Sequence, residues 1–237
     1  MKLYLFKMGI IHPYGVPIPS YLIQTDNGLN ILVDTGLPYS YITNPQQPPG
    51  IQFKMEEEDY IVNRLNEIGL KPENIHYLIC THLDIDHAGN NELFKSAEII
   101  IQRVNYELDK VNIPRLALSK EHWDGTGFSY RMIDGDTNIM AGLDLIETRG
   151  HVPGHQSVLI DLPKTGKVLL AIDAIPATYL TDPETRLILP TDMDEPGVRI
   201  GTKKIMDLVK VENVQLLIHG HDMDQWSSLK HAPEYYE

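Results

Sequence analysis

An α+β domain with β-sheets inside and helices outside is the architecture this chain predicts. Three observations carry it. Apolar segments of strand length recur in both halves, helix-patterned segments occur in both halves, and no Gly/Ser linker or low-complexity block divides the 237 residues. One domain spanning residues 1–237 is therefore expected.

The first strand is expected over residues 3–8, where apolar positions alternate weakly. Residues 15–19, Gly-Val-Pro-Ile-Pro, read as a loop. Strands over 20–24 and 30–33 flank Asn27-Gly28, a hairpin signal, and the second ends in Asp34-Thr35-Gly36, a carboxylate on a tight turn. The Pro- and Gln-rich residues 40–54 read as loop. Glu56-Glu57-Glu58-Asp59 opens a helix, since acids suit its positive end. Ile61, Leu65 and Ile68 keep helical spacing, and Gly69 stops it.

A strand over 77–80, a short helix near 92–95, a strand over 98–101 and a helix over 103–108 follow. Residues 112–136 are expected to form a surface excursion, a candidate lid, whose Trp123, Phe128 and Tyr130 either line a pocket or pack the loop. Strands are expected over 143–147, 157–162 and 167–172. Glu195-Pro196 starts a helix carrying Ile200, Ile205, Leu208 and Val209, and the last strand covers 214–218.

Composition excludes several functions. The formal net charge of −13 opposes nucleic-acid phosphates and anionic membranes as partners. The single cysteine, Cys80, cannot form an internal disulfide and reads as a small core residue. The N-terminus lacks a signal-peptide pattern, and no apolar run approaches the length of a membrane span. A cytoplasmic protein without a membrane partner is expected.

The chemistry concentrates in Thr81-His82-Leu83-Asp84-Ile85-Asp86-His87-Ala88-Gly89. On an extended chain residues 82, 84 and 86 share a face, and a turn into a helix would add His87. Imidazole and carboxylate are ligands for zinc or iron where no thiolate is offered. His151, Asp173 and His221 each stand where an apolar run passes into a loop. Any one of these alone is an ordinary turn or surface residue. Joined to the 82–87 cluster, they point to a two-metal hydrolytic site.

His82-x-Asp84-x-Asp86-His87 followed by His151, Asp173 and His221 resembles the ligand series of the metallo-β-lactamase superfamily. Within it the chain is similar to N-acyl-homoserine lactone lactonases, the quorum-quenching hydrolases. The similarity lies in Val33-Asp34-Thr35-Gly36, Asp86-His87-Ala88-Gly89-Asn90, Gly150-His151-x-Pro153-Gly154-His155-Gln156-Ser157, Ile172-Asp173-Ala174 and Gly220-His221-Asp222. This resemblance implies an αββα sandwich, two mixed β-sheets flanked by helices, with two divalent metal ions at one edge. By position, His82, Asp84 and His151 would hold the first ion and Asp86, His87 and His221 the second. Asp173 and a hydroxide would bridge them. The hydroxide would attack a lactone carbonyl, and Asp86 would pass a proton to the leaving alkoxide. Asp34 and His155 would support the site rather than bind metal.

The chain departs from the lactonase pattern twice. Asp84 stands where the family has a histidine; this harder, anionic ligand tilts the metal choice from zinc toward iron, manganese or cobalt. Pro176 stands where the lactonases carry a tyrosine, leaving Tyr179 as the substitute substrate-binding phenol. His219 should face away from the site, and His12, His76, His122 and His231 should lie on the surface. The expected partner is a small-molecule lactone or ester, handled by a monomer or homodimer. Two other readings stay open: an ester or thioester hydrolase on the same fold, and a non-catalytic metal-binding module.

Overall fold

The computed structural model describes residues 1–48, 50–108 and 113–237. Seven strands form one mixed sheet: β1 (Lys2–His12), β2 (Val16–Gln24), β3 (Asn30–Val33), β4 (Gln52–Lys54), β5 (Tyr77–Ile79), β6 (Glu98–Gln102) and β7 (Ser129–Ile133). Their order is β4-β1-β2-β3-β5-β6-β7, antiparallel as far as β3 and parallel from β3 to β7. The second sheet contains β8 (Thr137–Met140), β9 (Leu143–Glu147), β10 (Gln156–Leu162), β11 (Gly166–Ile172) and β12 (Leu216–His219). Its order is β12-β11-β10-β9-β8, with only the β11–β12 pair parallel.

Alternation along the strands builds the layers, because successive side chains leave opposite faces. In β1, Leu3 and Leu5 join a core that also takes Leu145, Val158, Ile160, Val168 and Leu170 from the other sheet. Tyr4, Phe6 and Met8 point the other way, into a core shared with Ile61 and Leu65 of helix α1 (Ile61–Glu67). In the second sheet Leu159, Leu169 and Ala171 face outward onto Ile205. The result is helix, sheet, sheet, helix. Strands buried on both faces explain why periodicity in residues 3–8 is weak.

Four helices besides α1 position the site or its surroundings: α2 (Ile85–Ala88), α3 (Arg103–Glu107), α4 (Lys120–Trp123) and α5 (Glu195–Val211). A further one, α6 (Met223–Trp226), follows β12. Among the described residues no helix is long and apolar enough to cross a membrane.

Several elements differ from the sequence expectation. Residues 16–19, expected as loop, begin β2. Pro17 and Pro19 precede Tyr21, the first β2 residue paired with β3, so this half of β2 has a neighbour on one side only. There a missing N–H is tolerated. Within the expected loop 40–54, β4 pairs with Ile10–His12 at the sheet edge, a contact no local pattern reveals. The expected 92–95 helix is a single 3₁₀ turn, Asn91–Phe94.

The 112–136 excursion contains a 3₁₀ turn (Pro114–Leu118), α4 and β7. Trp123, Phe128 and Tyr130 pack against the core rather than a pocket, and the Tyr130 hydroxyl donates to the Trp123 carbonyl at 2.6 Å. Pro49 of the expected loop and Asn112 of the excursion lie outside the described residues.

Candidate metal centre

The seven proposed ligand positions converge at one edge of the sandwich, delivered by the loops and the short helix that follow its strands. After β5 the chain stays extended to Asp84, whose φ/ψ of −65°/153° precede α2. His82 and Asp84 therefore share a side, as expected, and the first turn of α2 brings in Asp86 and His87. The helix starts before residue 86, so Asp86 enters from the helix rather than from the strand.

His151 lies in the turn between β9 and β10. Gly150 makes that turn possible: its φ is +138°, and a Cβ there would meet Val198 N of α5 at 2.2 Å. Asp173 follows β11, where Ile172 adopts φ 52°. A β-branched residue in that region costs on the order of 1–3 kcal/mol and is held there only by surrounding structure. His221 follows β12.

Ligand-type atoms fall into compact groups. His82, Asp84 and His151 form one triplet and Asp86, His87 and His221 another, each with its atoms within 4.8 Å of one another. Asp173 faces both. Its Oδ2 lies 3.2 Å from His151 Nε2, and its Oδ1 lies 3.1 Å from His221 Nε2 and 3.5 Å from His87 Nε2.

The outer ring nitrogens define the tautomers. His87 Nδ1 lies 2.8 Å from Asp34 Oδ2, His151 Nδ1 3.3 Å from Asp192 Oδ1, and His221 Nδ1 2.8 Å from the Pro17 carbonyl. These oxygens only accept, so each Nδ1 carries the hydrogen. The Thr81 hydroxyl donates to Asp34 at 2.7 Å, so its lone pair accepts from His82 Nδ1 at 3.1 Å. In the neutral rings all four Nε2 lone pairs then point inward, which is the arrangement a metal requires.

Among the described residues, the buried atoms His82 Nε2, His87 Nε2 and Asp173 Oδ1 have no hydrogen-bond partner. Buried polar atoms are almost always satisfied, and a cation would satisfy these. The residues thus fit divalent ions. The electrostatics agree. Burial is the largest influence on His87 and His151 and opposes their charging. The acids prevail: Asp86, Asp173 and Asp34 raise His87 to about 10, and Asp173, Asp192 and Asp84 raise His151 against the opposing charge of Arg115. Burial likewise opposes ionisation of Asp173, yet His221, His151 and His87 hold its carboxyl well below the ordinary range.

The metallo-β-lactamase superfamily profile matches residues 13–233. The N-acyl homoserine lactonase AiiA of Bacillus thuringiensis subsp. kurstaki is 36% identical over 232 residues, covering 93% of this chain and 87% of that protein. The N-acyl homoserine lactonase AttM of Azorhizobium caulinodans is 29% identical over 238 residues, covering 94% and 89%. A solved N-acyl homoserine lactone hydrolase, with N-hexanoyl-L-homoserine bound at its catalytic metal centre, superposes with a TM-score of 0.87 at 32% identity, covering 99% of this chain and 98% of the other.

This chain belongs to the metallo-β-lactamase superfamily.

The metallo-β-lactamase cluster forms the floor of a cleft of about 720 Å³. Asp84, Asp86, His151, Asp173 and His221 line that floor; Ile51, Phe53, Ile85, Leu118, Leu180 and Leu189 supply apolar wall. Pro176 also lines the cleft, and Tyr179 stands at its rim with 76% of its surface exposed. His155 lies outside the triplets: its Nε2 accepts from the Asp173 backbone N–H at 3.2 Å, and its Nδ1 meets Thr148 Oγ1 at 2.8 Å. Asp34 accepts from both Thr81 N and Thr81 Oγ1 as well as facing His87.

The other histidines stand apart. His219 is buried with Nδ1 on the Ile175 carbonyl, and His12 and His76 are exposed. His122 and His231 are half-buried, which corrects their expected surface position: His122 pairs with Glu92, and His231 packs on Trp226. Cys80 is buried, which pushes its thiol well up.

Sequence reading missed two side chains of this superfamily site. Arg115 binds both oxygens of Asp84, with Nε 2.5 Å from Oδ1, and its Nη2 donates to His151 Nε2 at 2.6 Å. It comes from the 3₁₀ turn of the 112–136 excursion, where no periodicity marks a site-facing residue. Asp192, fully buried beneath His151, precedes the helix that the sequence placed from residue 195. Glu195-Pro196 reads as the helix start, and Asp192, three residues before it, carries no signal of its own.

Proposed function

We propose that this protein opens the ring of N-acyl-homoserine lactones as a quorum-quenching hydrolase working with two divalent metal ions. The observation that carries the reading is the set of inward Nε2 lone pairs and unpartnered Asp173 Oδ1 at the floor of an apolar cleft. The kinship with N-acyl homoserine lactonases supports the substrate class. His82, Asp84 and His151 would hold one ion, Asp86, His87 and His221 the other, and Asp173 would serve both. When bound, the ions supply Lewis acidity and lower the pKa of water to about 7, providing a nucleophile at neutral pH.

The chain's own groups account for the remaining chemistry. The cleft walls take the acyl tail, since burying apolar surface favours binding and a pocket of this size suits a small ligand. That places the ring over Asp86 and Asp173. Water adds to the ring carbonyl carbon and gives up a proton to Asp86, the ring C–O bond breaks, and Asp86 passes that proton to the departing ring oxygen. Asp34 keeps the His87 Nδ1–H in place, and His155 holds the backbone N–H of Asp173. Tyr179 contacts the substrate from the rim. Zinc is joined by iron, manganese and cobalt as a candidate ion because Asp84 adds a hard anionic donor.

An ester or thioester hydrolase is the second reading. Pro176, not a phenol, lines the cleft beside the cluster, so a hydroxyl contact to a lactone carbonyl is missing at that position. Protein loaded with manganese, iron, cobalt or zinc should hydrolyse N-acyl-homoserine lactones, and chelation should stop it. Turnover of esters or thioesters but of no lactone, whatever the acyl length, would overturn the first reading in favour of the second.

A further inference from the structure

The two triplets are not equally available to a cation. His87 and His221 meet Asp173 Oδ1, Asp86 meets His87, and among the described residues no arginine or lysine lies within ion-pair distance of Asp86 or Asp173. The other triplet already has a cation. Arg115 holds both carboxylate oxygens of Asp84 and donates Nη2 to His151 Nε2 at 2.6 Å. Its Nη1 donates to the Thr191 carbonyl, beside the Asp192 that holds the far side of the same imidazole.

The decisive constraint is at His151. A neutral imidazole has one lone pair on Nε2, and that lone pair cannot accept from a guanidinium and ligate a metal at the same time. Asp84 has spare lone pairs, but its charge is already matched by Arg115. The triplet with its arginine is formally neutral, whereas among the described residues no arginine or lysine pairs with Asp86 at the other site or with Asp173, which faces both. Coulomb attraction therefore favours the second site for a divalent ion.

We propose that Arg115 is a resident cation of the His82/Asp84/His151 site and sets the order of metal loading. The Asp86/His87/His221 site fills first and tightly. The His82/Asp84/His151 site fills second and weakly, when the guanidinium releases His151. This inference rests on reading the cluster as a metal centre. It makes Arg115 a positioning residue, acting through two donors rather than on substrate.

The test is zinc titration of metal-free protein against a competing chelator, for wild type and Arg115→Met. Wild type should bind one ion tightly and a second at least about tenfold more weakly; Arg115→Met should tighten the second about tenfold or more while moving the first less than about threefold. Arg115→Gln, also uncharged, gives the same readout should the methionine variant fail to fold. Equal affinities in wild type, or a second ion unchanged or weakened in both variants, would overturn the proposal. Protein that binds no zinc would overturn the metal-centre reading as well. Ordered loading without lactone turnover would remove only the lactonase reading.

Discussion

Asp34 Oδ2 lies 2.8 Å from His87 Nδ1, joining the end of β3 to a helix residue 53 positions later. The same carboxylate accepts from Thr81 N at 2.8 Å and from Thr81 Oγ1 at 2.7 Å. One buried side chain thus sets the tautomer of His87 directly and that of His82 through Thr81. Its backbone is in the left-handed region, with φ 59°, which Asn also tolerates.

Asp34→Asn should accordingly preserve the fold while removing the charge that orients two imidazoles. Loss of such outer partners costs about 10–100-fold in metal affinity or activity. Chelator competition measures the first and lactone turnover the second; a variant equal to wild type in both would show that Thr81 and the helix alone suffice.

Metal uptake should expel protons. With a pKa near 10, the His87 ring is protonated at pH 7 in the metal-free protein. A metal needs the Nε2 lone pair, so it must displace the proton there. Because the raised value favours the protonated form at low pH, apparent affinity should climb as pH rises from 6 toward about 10 and level off above it. Calorimetry in buffers of different ionisation enthalpy counts the released protons; a binding enthalpy independent of buffer would contradict the assignment.

The apolar wall of the cleft should read acyl length. Leu189 lines it and packs on the core next to α5. Leu189→Glu places a charge where an acyl tail would lie, losing about 1.5–3 kcal/mol of apolar burial, or roughly 10–100-fold in kcat/KM for long-chain lactones. Short-chain lactones should change much less. A uniform loss across chain lengths would place the tail elsewhere.

Asp86 should matter most for poor leaving groups. Proton delivery is worth about 10²–10⁴-fold, so Asp86→Asn should slow lactone opening by that range. An activated aryl ester, whose phenolate departs without protonation, should lose less. Equal losses on both substrates would make Asp86 important only for holding metal. Tyr179→Phe, at an exposed rim position, should shift stability by less than about 0.5 kcal/mol, so any fall in lactone turnover reports its contact with substrate.

The parts of the fold legible in the chain were those whose signals are local. Asn27-Gly28 marks the β2–β3 hairpin, Glu195-Pro196 the start of α5, and apolar runs the central strands. Residues 16–19 and 52–54 read as loop because their pairing partners lie elsewhere in the chain, and prolines or short length hide strand character. The seven histidines and aspartates of the cluster were legible because four crowd into positions 82–87 and three end apolar runs. Arg115 was not, because a single arginine in an aperiodic segment looks like any solvated charge.

The chain by itself therefore determined the layered architecture, the chemical types gathered at the cluster and the departure at Asp84. Hydrophobic periodicity and residue chemistry are properties of short stretches, and short stretches can be read without coordinates. Only the tertiary structure decided that Asp84 faces a guanidinium, that Asp192 and the Pro17 carbonyl hold two imidazoles, and that Asp173 faces both triplets. Those relationships join residues tens to hundreds of positions apart, and they exist only once sheet pairing has closed the intervening chain.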